Sequence, residues 1–229
     1  MRQKLITLIC LVVIVVASWQ LIDYFLTYEI VGKQEEELQN KIASSSLTQL
    51  QKQYDEMVGW IKINHTKVDY PIMQAVNNEF YLTHNYKGEK LRAGSIFLDY
   101  RNNPLLNDRH SIIYGHDLRN GSMFGQLHQY EEQSFTDANR SFTIELANKQ
   151  LTLEVFSAYQ TTTDFYYIET EFTNESYARF IETIKNKSVI TYDGNITISD
   201  QIITLSTCVS DLGDERFVVH AKVVERKSD

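Results

Sequence analysis

Residues 5–22 read LITLICLVVIVVASWQLI, a run of eighteen residues without a charge, and this run limits what the start of the chain can become. Coiled into a helix, it is apolar on every face, so it has no side to offer water. Its length reaches the lower bound for crossing a bilayer. Trp19, Tyr24 and Tyr28 suit the headgroup region at its far end. Arg2 and Lys4 precede it, whereas Asp23, Glu29 and Glu35, Glu36 and Glu37 follow. That asymmetry places the N-terminus in the cytoplasm and the body outside, as a single-pass protein of the cell membrane. A cleaved signal peptide needs small residues at an Ala-x-Ala-like spacing. Ala17 and Ser18 are adjacent instead, so a retained anchor is expected over residues 1–28.

The next segment, 29–57, is polar with Leu38, Ile42, Leu47, Leu50 and Tyr54 at spacings of three to five. This is an imperfect helical stripe, broken near Ser44, Ser45 and Ser46, and it predicts a helical stalk or an N-terminal helical layer. From Val58 the texture changes. Segments 59–63, 68–72, 94–98, 111–114, 141–146, 151–159, 201–207 and 217–224 are short, β-branched and aromatic, and Gly, Asn, Asp and Pro stand between them. Eight such strands predict a closed or nearly closed β-barrel over 58–229. Two helices interrupt it: a short one at 123–130, and a longer one at 173–187 with Tyr177, Phe180, Ile181 and Ile184 on one face and Thr173 or Asn174 as cap.

A net charge of −8 disfavours nucleic acid as a partner, because phosphate binding needs a basic face. The two cysteines are Cys10, inside the apolar run, and Cys208, so no internal disulfide is expected. A lone thiol is either a small buried hydrophobe or a reactive group. Cys208 ends a strand and Arg216 opens the last one; paired as an antiparallel hairpin, the two lie side by side. A guanidinium there favours the thiolate and offers donors to an oxyanion. The plainer alternative pairs Arg216 with Asp214 or Glu215 at the surface. Among six histidines, His116 stands where strand 111–115 gives way to a loop, a place that suits either a catalytic base or an ordinary loop histidine. His220 alternates with apolar neighbours and reads as structural, His110 reads as the solvated start of its strand, and His65, His84 and His128 sit among polar residues. No C-x-x-C or H-E-x-x-H spacing, phosphate loop or G-x-S-x-G elbow is present, and no metal or other cofactor is implied.

Thr204-Leu205-Ser206-Thr207-Cys208, with Arg216 trailing it, resembles the sortase T-L-x-T-C signature and its arginine; Tyr114-Gly115-His116 resembles the family's histidine segment. Residues 94–102 and 120–124, the helix at 173–187 and the helical N-terminal stretch are similar to class B members. The resemblance runs from about Val58 to Val224. It implies a mostly β fold with added helices: an eight-stranded sortase barrel, an N-terminal helical segment, and a helix inserted before the cysteine strand. It also implies cleavage of a C-terminal sorting motif of secreted proteins, often Asn-Pro-Xaa-Thr-Xaa. Cys208 would carry the thioacyl group, His116 would move protons, and Arg216 would hold substrate and oxyanion. The acceptor would be an amine of the cell wall peptide. Substrate contacts implied in the same way are Asn78, Leu82, Thr163, Tyr167, Ile168 and Ser206, although Tyr166 and Tyr167 serve equally well as core aromatics. Two rival readings are a thiol peptidase with water as acceptor and a non-enzymatic anchored β-domain that binds the wall.

Overall fold

The computed structural model describes residues 2–162, 164–208 and 214–228. The chain forms two compact units, Met1–Asn40 and Lys41–Asp229. The first consists of helix α1 (Arg2–Ser44), which runs on into the second. Within it, Gln3–Ile22 is long and apolar enough to cross a membrane, and none of that window is buried. A span or an export signal has this character.

Helix α1 ends at Ser44 and helix α2 (Leu47–Gln53) starts after Ser46, in the serine run. Ser46 accepts from the Gln49 amide and the Gln49 side chain returns the bond, a capping box that fixes where α2 begins. Leu47 and Leu50 are its buried residues, and Gln51 donates to the Met57 and Val58 carbonyls at the entry to the barrel.

Eight strands follow: β1 (Met57–Lys62), β2 (Asp69–Met73), β3 (Ile96–Leu98), β4 (His110–His116), β5 (Ser141–Leu146), β6 (Lys149–Thr161), β7 (Ile202–Cys208) and β8 (Arg216–Ser228). They close in the order β1-β2-β3-β4-β7-β8-β6-β5, with β5 returning to β1. Closure leaves no row of unpaired backbone groups at an edge. Two pairings, β2 with β3 and β4 with β7, are parallel.

Helix α3 (Gln133–Ala138) and helix α4 (Asn174–Lys187) sit outside the strand ladder. Thr173 caps α4 by accepting from the Ser176 amide. The predicted stripe of Tyr177, Phe180, Ile181 and Ile184 is buried, and it packs on Phe156, Tyr159, Ile202 and Val218 of β6, β7 and β8. Each such side chain contributes roughly 1.5–3 kcal/mol by leaving water. Thus α4 covers one face of the sheet next to the cysteine strand.

Two expectations need correction. The helix expected at 123–130 is a short 3₁₀ turn, Leu127–Glu131, followed by the separate α3. Met123 takes a left-handed φ of 51°, and the Phe124 amide donates to the His116 carbonyl, so this segment folds back on β4 and cannot coil. His110 does open β4, but it is fully buried. Its cover comes from Phe172 and from Phe180 of α4, whose ring centroid lies 4.8 Å from the imidazole.

Candidate active site

Strands β4 and β7 run parallel through seven register partners, from His110 opposite Ile202 to His116 opposite Cys208. Neighbouring strands lie about 4.8 Å apart, so imidazole-bearing and thiol-bearing residues end two strands side by side. On the other flank of β7, β8 runs antiparallel and pairs Ser206 with Val218. One step further the Thr207 hydroxyl takes over, accepting from the Phe217 amide at 2.8 Å. Continuing that register carries Cys208 to the level of Arg216, which also pairs with Thr161 of β6. His116, Cys208 and Arg216 therefore stand at one end of three adjacent strands. The backbone of Cys208 is described; its side chain, residues 209–213 and Thr163 lie outside the described residues.

His116 is half-buried, and its Nε2 lies 2.7 Å from the Leu82 carbonyl oxygen. A carbonyl can only accept, so Nε2 carries a proton and Nδ1 is the nitrogen left to exchange another. Leu82 belongs to a 3₁₀ turn (Phe80–Leu82) whose start is set by Asn77, the acceptor for the Glu79 and Phe80 amides. Gly94 lies against this turn with φ +60°, where a Cβ would fall 2.4 Å from the Tyr81 carbonyl oxygen and 2.8 Å from that of Leu82. Only glycine lets the two segments approach so closely. Beyond the strand, Asp117 bonds His128 at 2.8 Å, and this bond raises the histidine's pKa. Arg216 donates to the Glu215 carbonyl at 3.1 Å; among the described residues no ion pair joins it to Asp214 or Glu215.

A cavity of about 260 Å³ opens beside these strand ends. Asn78, Leu82, Tyr167, Ile168 and Arg216 line it, with Phe97, Tyr114, Phe165 and Tyr166 completing a largely aromatic wall. Four of the six expected substrate contacts thus meet there. Ser206 is fully buried behind that wall, its hydroxyl 2.8 Å from the Tyr167 hydroxyl. Among the described residues no cluster of three or more His, Cys, Asp or Glu could hold a metal ion.

The Sortase domain family matches residues 61–224 of this chain. The chain belongs to the sortase family. Its relatives are of class B. Sortase B of Listeria monocytogenes is 45% identical over 79% of this chain and 74% of its own length. Sortase B of Staphylococcus aureus is 34% identical over 98% of this chain and 99% of its own. Among solved structures, sortase B from B. anthracis in complex with AAEK1 superposes with a TM-score of 0.82 at 42% identity, covering 88% of this chain and 99% of that one. The Staphylococcus aureus sortase B–substrate complex gives 0.75 at 36% identity, over 86% and 94%. The chain is accordingly a cysteine transpeptidase of the cell-wall-sorting type with the sortase barrel, in a family that acts on sorting-motif peptides and amine acceptors.

The sortase groove contains a charged cluster that sequence reasoning missed. Asp99, fully buried, accepts from Arg101 Nε at 2.8 Å, Arg101 Nη2 at 2.7 Å, the Arg101 amide, Asn78 Nδ2 at 3.0 Å and the Tyr114 hydroxyl at 2.9 Å. Burial pushes its pKa up, and these donors outweigh that and hold it below the usual carboxylate value. Arg101 reaches on to the Tyr166 hydroxyl and the Ile168 carbonyl. The only signal was the resemblance of residues 94–102; a carboxylate and a guanidinium two positions apart otherwise read as surface charges.

Proposed function

We propose that this sortase joins secreted proteins to the cell wall through a thioester on Cys208. The thiolate attacks the carbonyl of the scissile peptide bond in a C-terminal sorting motif. The bond to the leaving amine breaks as His116, protonated at both nitrogens, gives up the Nδ1 proton to that amine; Nε2 keeps its proton on the Leu82 carbonyl. Neutral His116 then takes a proton from an incoming amine of the cell wall peptide, whose nitrogen attacks the thioester and releases the thiolate. Arg216 donates to the oxyanion formed in each half-reaction. Asn78, Leu82, Tyr167 and Ile168 line the groove for the motif, Ser206 braces Tyr167, and Thr163 is a further residue assigned to substrate contact. Residues 1–28 anchor the enzyme in the membrane with the N-terminus inside, 29–57 form a helical stalk or N-terminal helices, and 58–229 carry the chemistry outside.

The observation that supports this reading is the parallel register of β4 and β7, which sets His116 opposite Cys208 while β8 brings Arg216 to the other flank. The test incubates the protein with a quenched Asn-Pro-Xaa-Thr-Xaa peptide, with and without an amine acceptor, and follows Cys208 by mass spectrometry. An acyl adduct on Cys208 and an amine-bearing product are expected, and Cys208→Ala should abolish both. Cleaved acid alone, even at high amine, would turn the reading to a hydrolase. Arg216→Lys, lacking the planar fork, should lose about a hundredfold in kcat.

A further inference from the structure

Arg101 does not line the groove, yet it holds one of its walls. Residues Tyr166 and Ile168 face the cavity from the long segment between β6 and α4, and two hydrogen bonds tie this segment to Arg101. Nη2 donates to the Ile168 carbonyl at 2.9 Å and Nη1 to the Tyr166 hydroxyl at 3.2 Å. The guanidinium cannot swing away, because Nε and Nη2 are both held by Asp99. Asp99 in turn is fixed by Asn78 and Tyr114, which line the same cavity from other parts of the chain. One buried carboxylate and one planar cation therefore bridge the two walls. A fork with fixed angles between its donors transmits position from wall to wall; a single flexible ammonium does not.

We infer that Arg101, locked by Asp99, is a positioning residue that sets the width of the substrate groove and so the affinity for the sorting peptide. The inference rests on the groove reading given above. It separates two properties of the enzyme: peptide binding depends on the bridge between the walls, whereas thiol reactivity depends on the strand ends. Ligand-free walls held in the bound spacing also cost less to order when the peptide arrives.

Arg101→Lys keeps a positive charge beside Asp99 and removes the fork. With a quenched Asn-Pro-Xaa-Thr-Xaa peptide, KM should rise about tenfold or more while kcat stays within about threefold. Alkylation of Cys208 by iodoacetamide, which needs no groove, should keep its rate. Tyr166→Phe removes only the Nη1 bond and should raise KM about two- to threefold. If Arg101→Lys does not fold, the Asp99→Asn/Arg101→Met double variant, which leaves no charge unpaired, carries the same expectation. An active wild type whose KM is unchanged in the folded variant overturns the positioning role alone, as does a parallel loss of kcat and of alkylation. A wild type that cuts no sorting peptide and never acylates Cys208 overturns the groove reading, and the role with it.

Discussion

Two neighbouring carbonyls on the segment before α4 are held in opposite ways. That of Ile168 accepts from Arg101, a permanent cation neutralised by Asp99. That of Glu169 accepts from His110 Nδ1 at 2.6 Å, and this histidine starts a chain without any full charge. Because Nδ1 donates to a carbonyl, His110 Nε2 must accept, and the Thr204 hydroxyl at 2.6 Å donates to it. The Thr204 oxygen then accepts from His220 Nδ1 at 2.7 Å, and His220 Nε2 accepts from the Tyr159 hydroxyl at 2.8 Å. Every proton in the chain has one place, provided both imidazoles stay neutral. Burial first of all keeps them so: it pushes His110 down to about 4, against the opposing pull of the Glu169 carbonyl and of Asp99, and it pushes His220 well below its ordinary value. The ion pair keeps both charges as pH falls from neutral toward 4, whereas the stability that the histidine chain gives is lost over that interval.

The largest effect should come from breaking the charged clamp. Asp99→Ala leaves the Arg101 guanidinium half-buried without its counter-charge and strips Asn78 and Tyr114 of an acceptor. Removing one partner of a buried pair costs about 3–5 kcal/mol, and since a quarter of the Arg101 side chain is exposed the low end is expected. Denaturant unfolding checks this; a loss below about 1 kcal/mol would mean that solvent already carries the pair.

Acid should break the other clamp first. Below the unfolded histidine value of about 6.5 the unfolded chain binds protons that buried His110 refuses. Stability present above pH 6.5 is therefore lost as pH falls toward 4, where the folded histidine itself titrates. For His110 alone the difference amounts to about 3 kcal/mol. Over the same interval Asp99, held low, stays ionised. Unfolding measured from pH 7 to pH 4 should show this slope, and His110→Gln should reduce it while leaving the part that buried His220 contributes. Thr204→Val, read at pH 7, should cost about 2 kcal/mol, since the valine leaves a donor on His220 and an acceptor on His110 unpaired in the interior.

The contrast also explains what the sequence could disclose. Strands such as 141–146 and 217–224 announce themselves by local alternation and β-branching, and the Cys208–Arg216 hairpin joins neighbours in sequence. Helix α4 was legible for the same reason, from its cap to its buried stripe. Long-range adjacency was not. His110 follows Asn107, Asp108 and Arg109, so it reads as solvated, while the Thr204 that satisfies it lies 94 positions away. Asp99 and Arg101 failed in another way: nothing local says that Asn78, Tyr114 and the carbonyl at 168 converge on them. The role proposed for His116 rests likewise on a parallel pairing that no periodicity announces, and only the family resemblance supplied the expectation.

The smallest expected effect tests whether the two clamps act independently of the helix that follows them. Thr173 starts α4 only four residues past Glu169, and its hydroxyl satisfies the Ser176 amide. Thr173→Ala leaves that donor to water and should cost about 1 kcal/mol, with Thr173→Ser restoring most of it. If the segment is held by Arg101 and His110 themselves, the loss appears as a uniform drop in unfolding free energy. The slope between pH 6.5 and pH 4 then keeps its size, because the burial of His110 owes more to Phe172, Phe180 and the barrel strands than to the first turn of α4. A shallower slope in Thr173→Ala would mean instead that fraying the helix start admits water to His110, and that cap and histidine chain form one cooperative unit.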